Sequence, residues 1–172
     1  MVGDLSGLAV VGEGSGSKLG KIQDVLFDPI SGSITGFLVH PGGLFTKAQL
    51  LPSLAARALG ADALMVEQGH VLQEITSEPA IAGSLSVGSL NGRPILDDTG
   101  KVLGKMTDAV LAETTFAIEA LQYSSGVLGA MLHGKAIIPL TVVKAIGADS
   151  IVVPASYQAM AEKPEATETP QA

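Results

Sequence analysis

The sequence predicts an all-β protein built as two small β-barrels in tandem, each with a short helical turn before its last strand. Three observations carry that prediction. The chain repeats itself at a spacing of about 85 residues, the signature of a duplicated unit. Its apolar runs are short and are punctuated by Gly, Pro, Asp and Ser, as strands joined by tight turns require. Its composition, 47% hydrophobic and 16% charged, supports a packed core rather than a disordered chain.

The repeat is collinear over four blocks. "VGDLSG" (Val2–Gly7) returns as "VGSLNG" (Val87–Gly92). "LGKIQD" (Leu19–Asp24) returns as "LGKMTD" (Leu103–Asp108), and "ITGFLV" (Ile34–Val39) falls on "IEALQY" (Ile118–Tyr123). Finally "LPSLAARALGADALMV" (Leu51–Val66) falls on "IPLTVVKAIGADSIVV" (Ile138–Val153). The spacing changes only between blocks, where loops vary in length. The chain divides into module 1 (1–68), a connector (69–86), module 2 (87–155) and a tail (156–172) whose Ala, Glu, Thr and Pro predict disorder.

Within module 1, Ala9–Val11 reads as a first strand, and "EGSGS" as a hairpin turn into a strand over Gly20–Phe27. "DPISGS" turns the chain into Ile34–His40, and "PGGLFTK" leads to Ala48–Leu51. Ser53–Leu59 lacks β-branched residues and reads as a helical turn closed by Gly60, before a last strand at Ala63–Glu67. Module 2 follows at Pro94–Leu96, Lys105–Leu111, Phe116–Tyr123, Lys135–Ile138, Thr141–Ile146 and Ser150–Val153. Barrel closure removes exposed strand edges, and a module this small buries a modest core alone, so the two copies are expected to pack together or self-associate.

Composition excludes several functions. There is no cysteine, hence no disulfide or thiolate chemistry. A net charge of −7, scattered basic residues and six aromatics argue against nucleic acid and against an anionic membrane surface. Asp4 near the start predicts no signal peptide, and the uncharged stretches Pro79–Gly92 and Ala120–Gly134 fall short of a membrane span. A cytoplasmic location is expected.

Residue spacing limits what each candidate side chain can do. Strand alternation places Asp24 with Ile22 and Leu26, and Asp108 with Met106 and Val110, so each carboxylate is expected on an apolar inner face. Such a group must find hydrogen bonds, and recurrence in both copies favours a structural brace over catalysis, one that holds backbone N–H groups of a neighbouring turn and pins the barrel closed. Asp62 and Asp149, in the two Gly-Ala-Asp turns, are expected to bond their own backbone. Asp97 and Asp98, with Asp4 or Glu13, lack the spacing of a calcium loop and read as solvated acids. His40 and His133 flank the same loop in the two copies, but neither they nor His70 has a second ligand at metal spacing. "GEGSGS" lacks the Lys-Ser/Thr of a phosphate loop, and no nucleophile elbow is present. No catalytic residue, cofactor or metal is therefore assigned. The loops after the third strands instead place Leu44 and Phe45, and Val127, Leu128, Met131 and Leu132, where polar residues would be expected; they mark candidate protein-interaction surfaces or, alternatively, loops folded over the barrel mouth or the seam between the copies.

The repeated residues resemble the PRC-barrel family: Leu19–Asp24 (L-G-K-x-x-D), the turn Asp28–Gly32, the apolar loop Gly42–Phe45, the strand end Leu50–Pro52 and the run Ser53–Val66. Module 2 keeps the first, fourth and fifth of these and carries "AETT" (Ala112–Thr115) in place of the acidic turn. That family is named for the cytoplasmic domain of the photosynthetic reaction-centre H subunit and includes the C-terminal domain of a ribosome maturation factor. The resemblance implies PRC-type barrels used for docking or regulation rather than catalysis. It implies a non-enzymatic protein-binding or assembly module with protein partners or self-association. Ribosome or RNA maturation, or a peripheral role in a membrane complex, are the alternatives.

Overall fold

A computed structural model describes residues 1–67, 72–75, 81–112, 114–124 and 135–157. Module 1 contains β1 (Ala9–Gly12), β2 (Lys18–Phe27), β3 (Ile34–His40), β4 (Gln49–Pro52), β5 (Ala56–Leu59) and β6 (Ala63–Val66), preceded by a single 3₁₀ turn at Val2–Leu5. The two-residue strand β7 (Leu85–Ser86) leads into one turn of helix, α1 (Val87–Leu90). Module 2 then repeats the pattern with β8 (Pro94–Asp97), β9 (Val102–Ala112), β10 (Ala117–Ser124), β11 (Lys135–Pro139), β12 (Ala145–Ile146) and β13 (Ile151–Val153).

Each module is one curled six-stranded sheet, in the order β4-β3-β2-β1-β6-β5 and β11-β10-β9-β8-β13-β12, with β7 added to β2. The tandem all-β architecture predicted from the repeat is what forms. The first and last strands of each module lie side by side and parallel, Val10 opposite Leu64 in one and Leu96 opposite Val152 in the other. This pairing draws the ends of each module together and curls the sheet around its apolar face.

The predicted helical turn is shorter than expected. Only Ser53–Ala55 and Leu140–Val142 are helical, as single 3₁₀ turns. Ala56–Leu59 and Ala145–Ile146 are strands instead, paired with β6 and β13. Ala56–Leu59 has no β-branched residue, so there tertiary pairing overrode local propensity.

A bulge in each long strand decides where the core lies. Ile22 is opposite Val39 and Asp24 is opposite Leu38, so Gln23 is an extra residue; Met106 is opposite Tyr123 and Asp108 opposite Gln122, leaving Thr107 extra. The bulge shifts the phase of the strand. Ile22, Val25 and Phe27 line the core, as do Met106 and Ala109. Asp24 and Asp108 are thereby turned away from the inner face that simple alternation gives them.

The core is continuous across both modules: Phe27, Phe37 and Leu51 belong to the same buried cluster as Met106, Leu121 and Ile138. Both strands also need glycine near their start. A Cβ at Gly20 would stand 2.5 Å from the His40 carbonyl oxygen, and one at Gly104 closer still to that of Ser124. The glycine of the repeated L-G-K is thus a close approach between hairpin strands.

Candidate functional site

The seam between the modules is built from paired, equivalent contacts. Gly3 N–H, in the first 3₁₀ turn, donates to both carboxylate oxygens of Asp108, at 3.0 and 3.2 Å. Gly88 N–H, in α1, donates to both oxygens of Asp24 at the same two distances. Each carboxylate also accepts the N–H of its own successor, Val25 or Ala109, at 2.7 Å. The brace expected at Asp24 and Asp108 therefore runs between modules rather than closing either barrel. The donors sit in "VGDLSG" and "VGSLNG", the first repeated block. A Cβ at Gly3 or Gly88 would lie 2.7 or 2.6 Å from a carboxylate oxygen, so a larger residue there would push the aspartate side chain out of its present position.

Asp24 has one partner more than its twin. Ser86 caps α1 by accepting the Ser89 N–H at 3.1 Å, and its hydroxyl donates to Asp24. A cleft of about 270 Å³ opens at the seam, with Asp24 and Asp108, Gln23 and Thr107, and Gly3 and Gly88 among its lining. Both carboxylates are thus in one cleft, and both are engaged by N–H donors of the protein itself.

A short antiparallel ladder adds a second seam contact. Ser33 lies opposite Ala117, with Ile34 N–H donating to the Phe116 carbonyl at 3.0 Å and Ile118 N–H to that of Gly32 at 2.7 Å. Gly32 and Phe116 hold equivalent positions and both have left-handed backbones, φ 75° and 49°. Phe116 is the one non-glycine residue so held among the described residues.

The other expectations fare differently. Asp97 is a correction: it is buried, 4% exposed, rather than solvated. Its Oδ1 accepts the Thr99 N–H at 2.9 Å, the Thr99 hydroxyl at 2.6 Å and the Lys101 N–H at 3.0 Å. The Thr99 hydroxyl, then the Lys101 N–H, hold its pKa below the usual carboxylate range. The Asp-Asp-Thr-Gly run was the available signal, since Asp commonly bonds backbone two residues on in a turn. Asp98 is lowered too, by the Lys144 ammonium at 2.8 Å and then the Ala155 N–H. The Gly-Ala-Asp turns are closed by backbone, Gly60 N–H to Ala63 and Gly147 N–H to Ser150, both 2.9 Å. Among the described residues no N–H of either turn donates to the Asp62 or Asp149 carboxylate, contrary to expectation.

His40 accepts the Gly42 N–H on Nδ1 at 3.1 Å. His70 and His133 lie outside the described residues, as do Val127, Leu128, Met131 and Leu132. Among the described residues no three His, Asp or Glu side chains cluster as a metal site would require, and no helix is long and apolar enough to cross a membrane.

Leu44 and Phe45 stand at the tip of the loop after β3, 95% and 98% exposed. The loop is braced from within: Gly42 and Gly43 take φ of 101° and 97°, and the Thr46 hydroxyl donates to the Gly42 carbonyl at 2.5 Å. Beside it lies a cleft of about 430 Å³ between the loop and the connector, lined by Pro41, Lys47, Glu74 and Ile75 among others.

Two curled sheets repeating one strand order, each opened by the same glycine turn, are what a duplicated module requires. The sequence pattern of the PRC-barrel domain matches residues 2–73 and again 83–160. The chain belongs to the PRC-barrel family. No curated protein matches it. In this tandem PRC-barrel protein the repeated L-G-K-x-x-D motif has a geometric meaning: its glycine admits the neighbouring strand, and its aspartate holds the other module.

Proposed function

We propose that this tandem PRC-barrel protein is a non-catalytic, cytoplasmic protein-binding or assembly module that engages its partner through the loop after β3. The observation that carries this reading is the exposure of Leu44 and Phe45, 95% and 98%, at the tip of an internally braced loop. Two adjacent large apolar side chains held in water gain free energy when a partner covers them, about 25 cal/mol per Å² of apolar surface. Bracing the loop lowers the entropic cost of binding, because little ordering is left to be done. The adjoining cleft, with Lys47 and Glu74, offers polar groups of both signs at its rim.

The test is a Leu44→Ser, Phe45→Ser variant. With both side chains solvent-exposed, its stability should stay within the range of ordinary surface changes, about 0.5 kcal/mol, as read from denaturant midpoints. Affinity capture from the native cell should lose the partner recovered by the wild type. Recovery of the same proteins at the same yield sinks the reading. Recovery of ribosomal subunits, or of an integral membrane complex, redirects it to the maturation or membrane branch of the family.

A further inference from the structure

We infer that the seam is a self-complementary docking surface whose partner is another module of the same kind, so that two copies of this chain pair module against module. Apart from the added contacts of Ser86 and β7 with β2, the seam contacts join each group to the counterpart of its own partner. Gly3 holds Asp108 while Gly88 holds Asp24, and Gly3 and Gly88 are equivalent, as are Asp24 and Asp108. Ser33 faces Ala117, the residue at its own position in the repeat, and the two hydrogen bonds around that pair exchange Gly32–Ile34 for Phe116–Ile118. This reciprocity defines a two-fold interface between identical subunits. A heterologous contact would need a donor face on one module and an acceptor face on the other. Here each module carries both.

The consequence is specific. Module 1 contains its own donor, Gly3, and its own acceptor, Asp24, so two first modules can make both carboxylate contacts and set Ser33 against Ser33. Module 2 can do the same with Gly88 and Asp108, and the hydroxyl of Ser86, at the end of the connector just before it, then meets Asp108 as it now meets Asp24. The covalent connector favours pairing within one chain by raising the effective concentration of one module near the other. It does not change what the seam accepts.

The experiment uses the full-length chain with a protease site placed within residues 76–80, folded and then cut. Native mass spectrometry of the cut protein, mixed and re-equilibrated, should show the mixed pair together with module 1 pairs and module 2 pairs. Asp24→Asn supplies the sharper reading. The carboxylate contact occurs twice in a module 1 pair, once in the mixed pair and not at all in a module 2 pair. The variant should therefore weaken these by about a hundredfold, about tenfold and not at all, for a charge-assisted hydrogen bond of ordinary strength. Mixed pairs alone overturn the inference, and so does a module 2 pair weakened along with the others. Should the cut halves aggregate, the uncut chain answers instead. It has no cysteine, so Ser33→Cys introduces a unique thiol. Refolded in a thiol–disulfide buffer at rising concentration, that variant should link chains several-fold more than Asp149→Cys, on an exposed turn far along the sequence. Equal yields overturn the inference.

Discussion

The two modules agree at their seam and differ at their turns. In module 1 the turn between β2 and β3 is held by Asp28, whose Oδ1 accepts the N–H of Ile30 at 2.7 Å and of Ser31 at 3.0 Å. In module 2 the equivalent of Asp28 is Ala112, and the turn ends on Phe116 in a left-handed conformation where module 1 has Gly32. Between the first two strands the roles are exchanged. Module 2 holds that turn with buried Asp97, and module 1 has Gly12 in its place, with Gly12 N–H and the Ser17 carbonyl closing the hairpin at 2.9 Å. Acids thus cap different turns in the two copies, while glycine and aspartate at the seam are the same in both. A turn can be stabilised by any of several local bonds. The seam admits one arrangement, because each half must fit the other.

The largest break of that agreement comes from the strand glycines. Gly104→Ala forces a methyl group against the Ser124 carbonyl, and Gly20→Ala does so against His40 with slightly more room. Overpacking against backbone should cost about 2–3 kcal/mol, more at Gly104 than at Gly20, read from denaturant midpoints. Equal and negligible losses would mean that β2–β3 and β9–β10 are not in close contact there.

Next come the seam carboxylates. Asp24→Asn and Asp108→Asn each weaken a charge-assisted bond to the other module, worth about 1.5–3 kcal/mol. Asp24 also accepts from Ser86, so its replacement should cost more, and Ser86→Ala should narrow the gap between the two variants. Identical losses with and without Ser86 would show that its hydroxyl contributes nothing to the seam.

The smallest effect is on the turns and appears in acid. The Ser31 and Ile30 N–H groups hold the Asp28 pKa below its ordinary value. A depressed folded-state pKa adds stability that is complete above the unfolded value and is lost as pH falls through the folded one, below about pH 4. The amide resonances of Ile30 and Ser31 should therefore titrate in that range and stop doing so in Asp28→Asn. The Asp97 turn should behave alike through Thr99 and Lys101, because its pKa is lowered for the same kind of reason. The Gly12–Ser17 turn, closed by backbone, should show no such local titration.

Much of this was legible in the residues. Collinear blocks revealed the duplication, and turn residues placed most strands within a residue or two, since Gly, Pro and Asp constrain the backbone wherever they stand. The aspartate of L-G-K-x-x-D was recognisable as a brace because a carboxylate among apolar neighbours needs donors. Its direction was not recognisable. The bulges at Gln23 and Thr107 exist only once two strands are registered against each other, and they turn Asp24 and Asp108 from the core to the seam. The burial of Asp97 is illegible in the sequence for a related reason: its side chain is enclosed by a turn whose path local sequence does not fix. The apolar tip at Leu44 and Phe45 stood out from composition, but its exposure depended on where the rest of module 1 packed.

By itself, then, the sequence determined a duplicated all-β chain, the turn positions, the glycines and the residue types available for bracing. These follow from backbone sterics and hydrophobic patterning, which act over a few residues. The tertiary structure alone decided that Asp24 answers to Gly88 and Asp108 to Gly3. That choice depends on register, bulges and the docking of one module on the other, and those are settled by contacts between residues more than 60 positions apart.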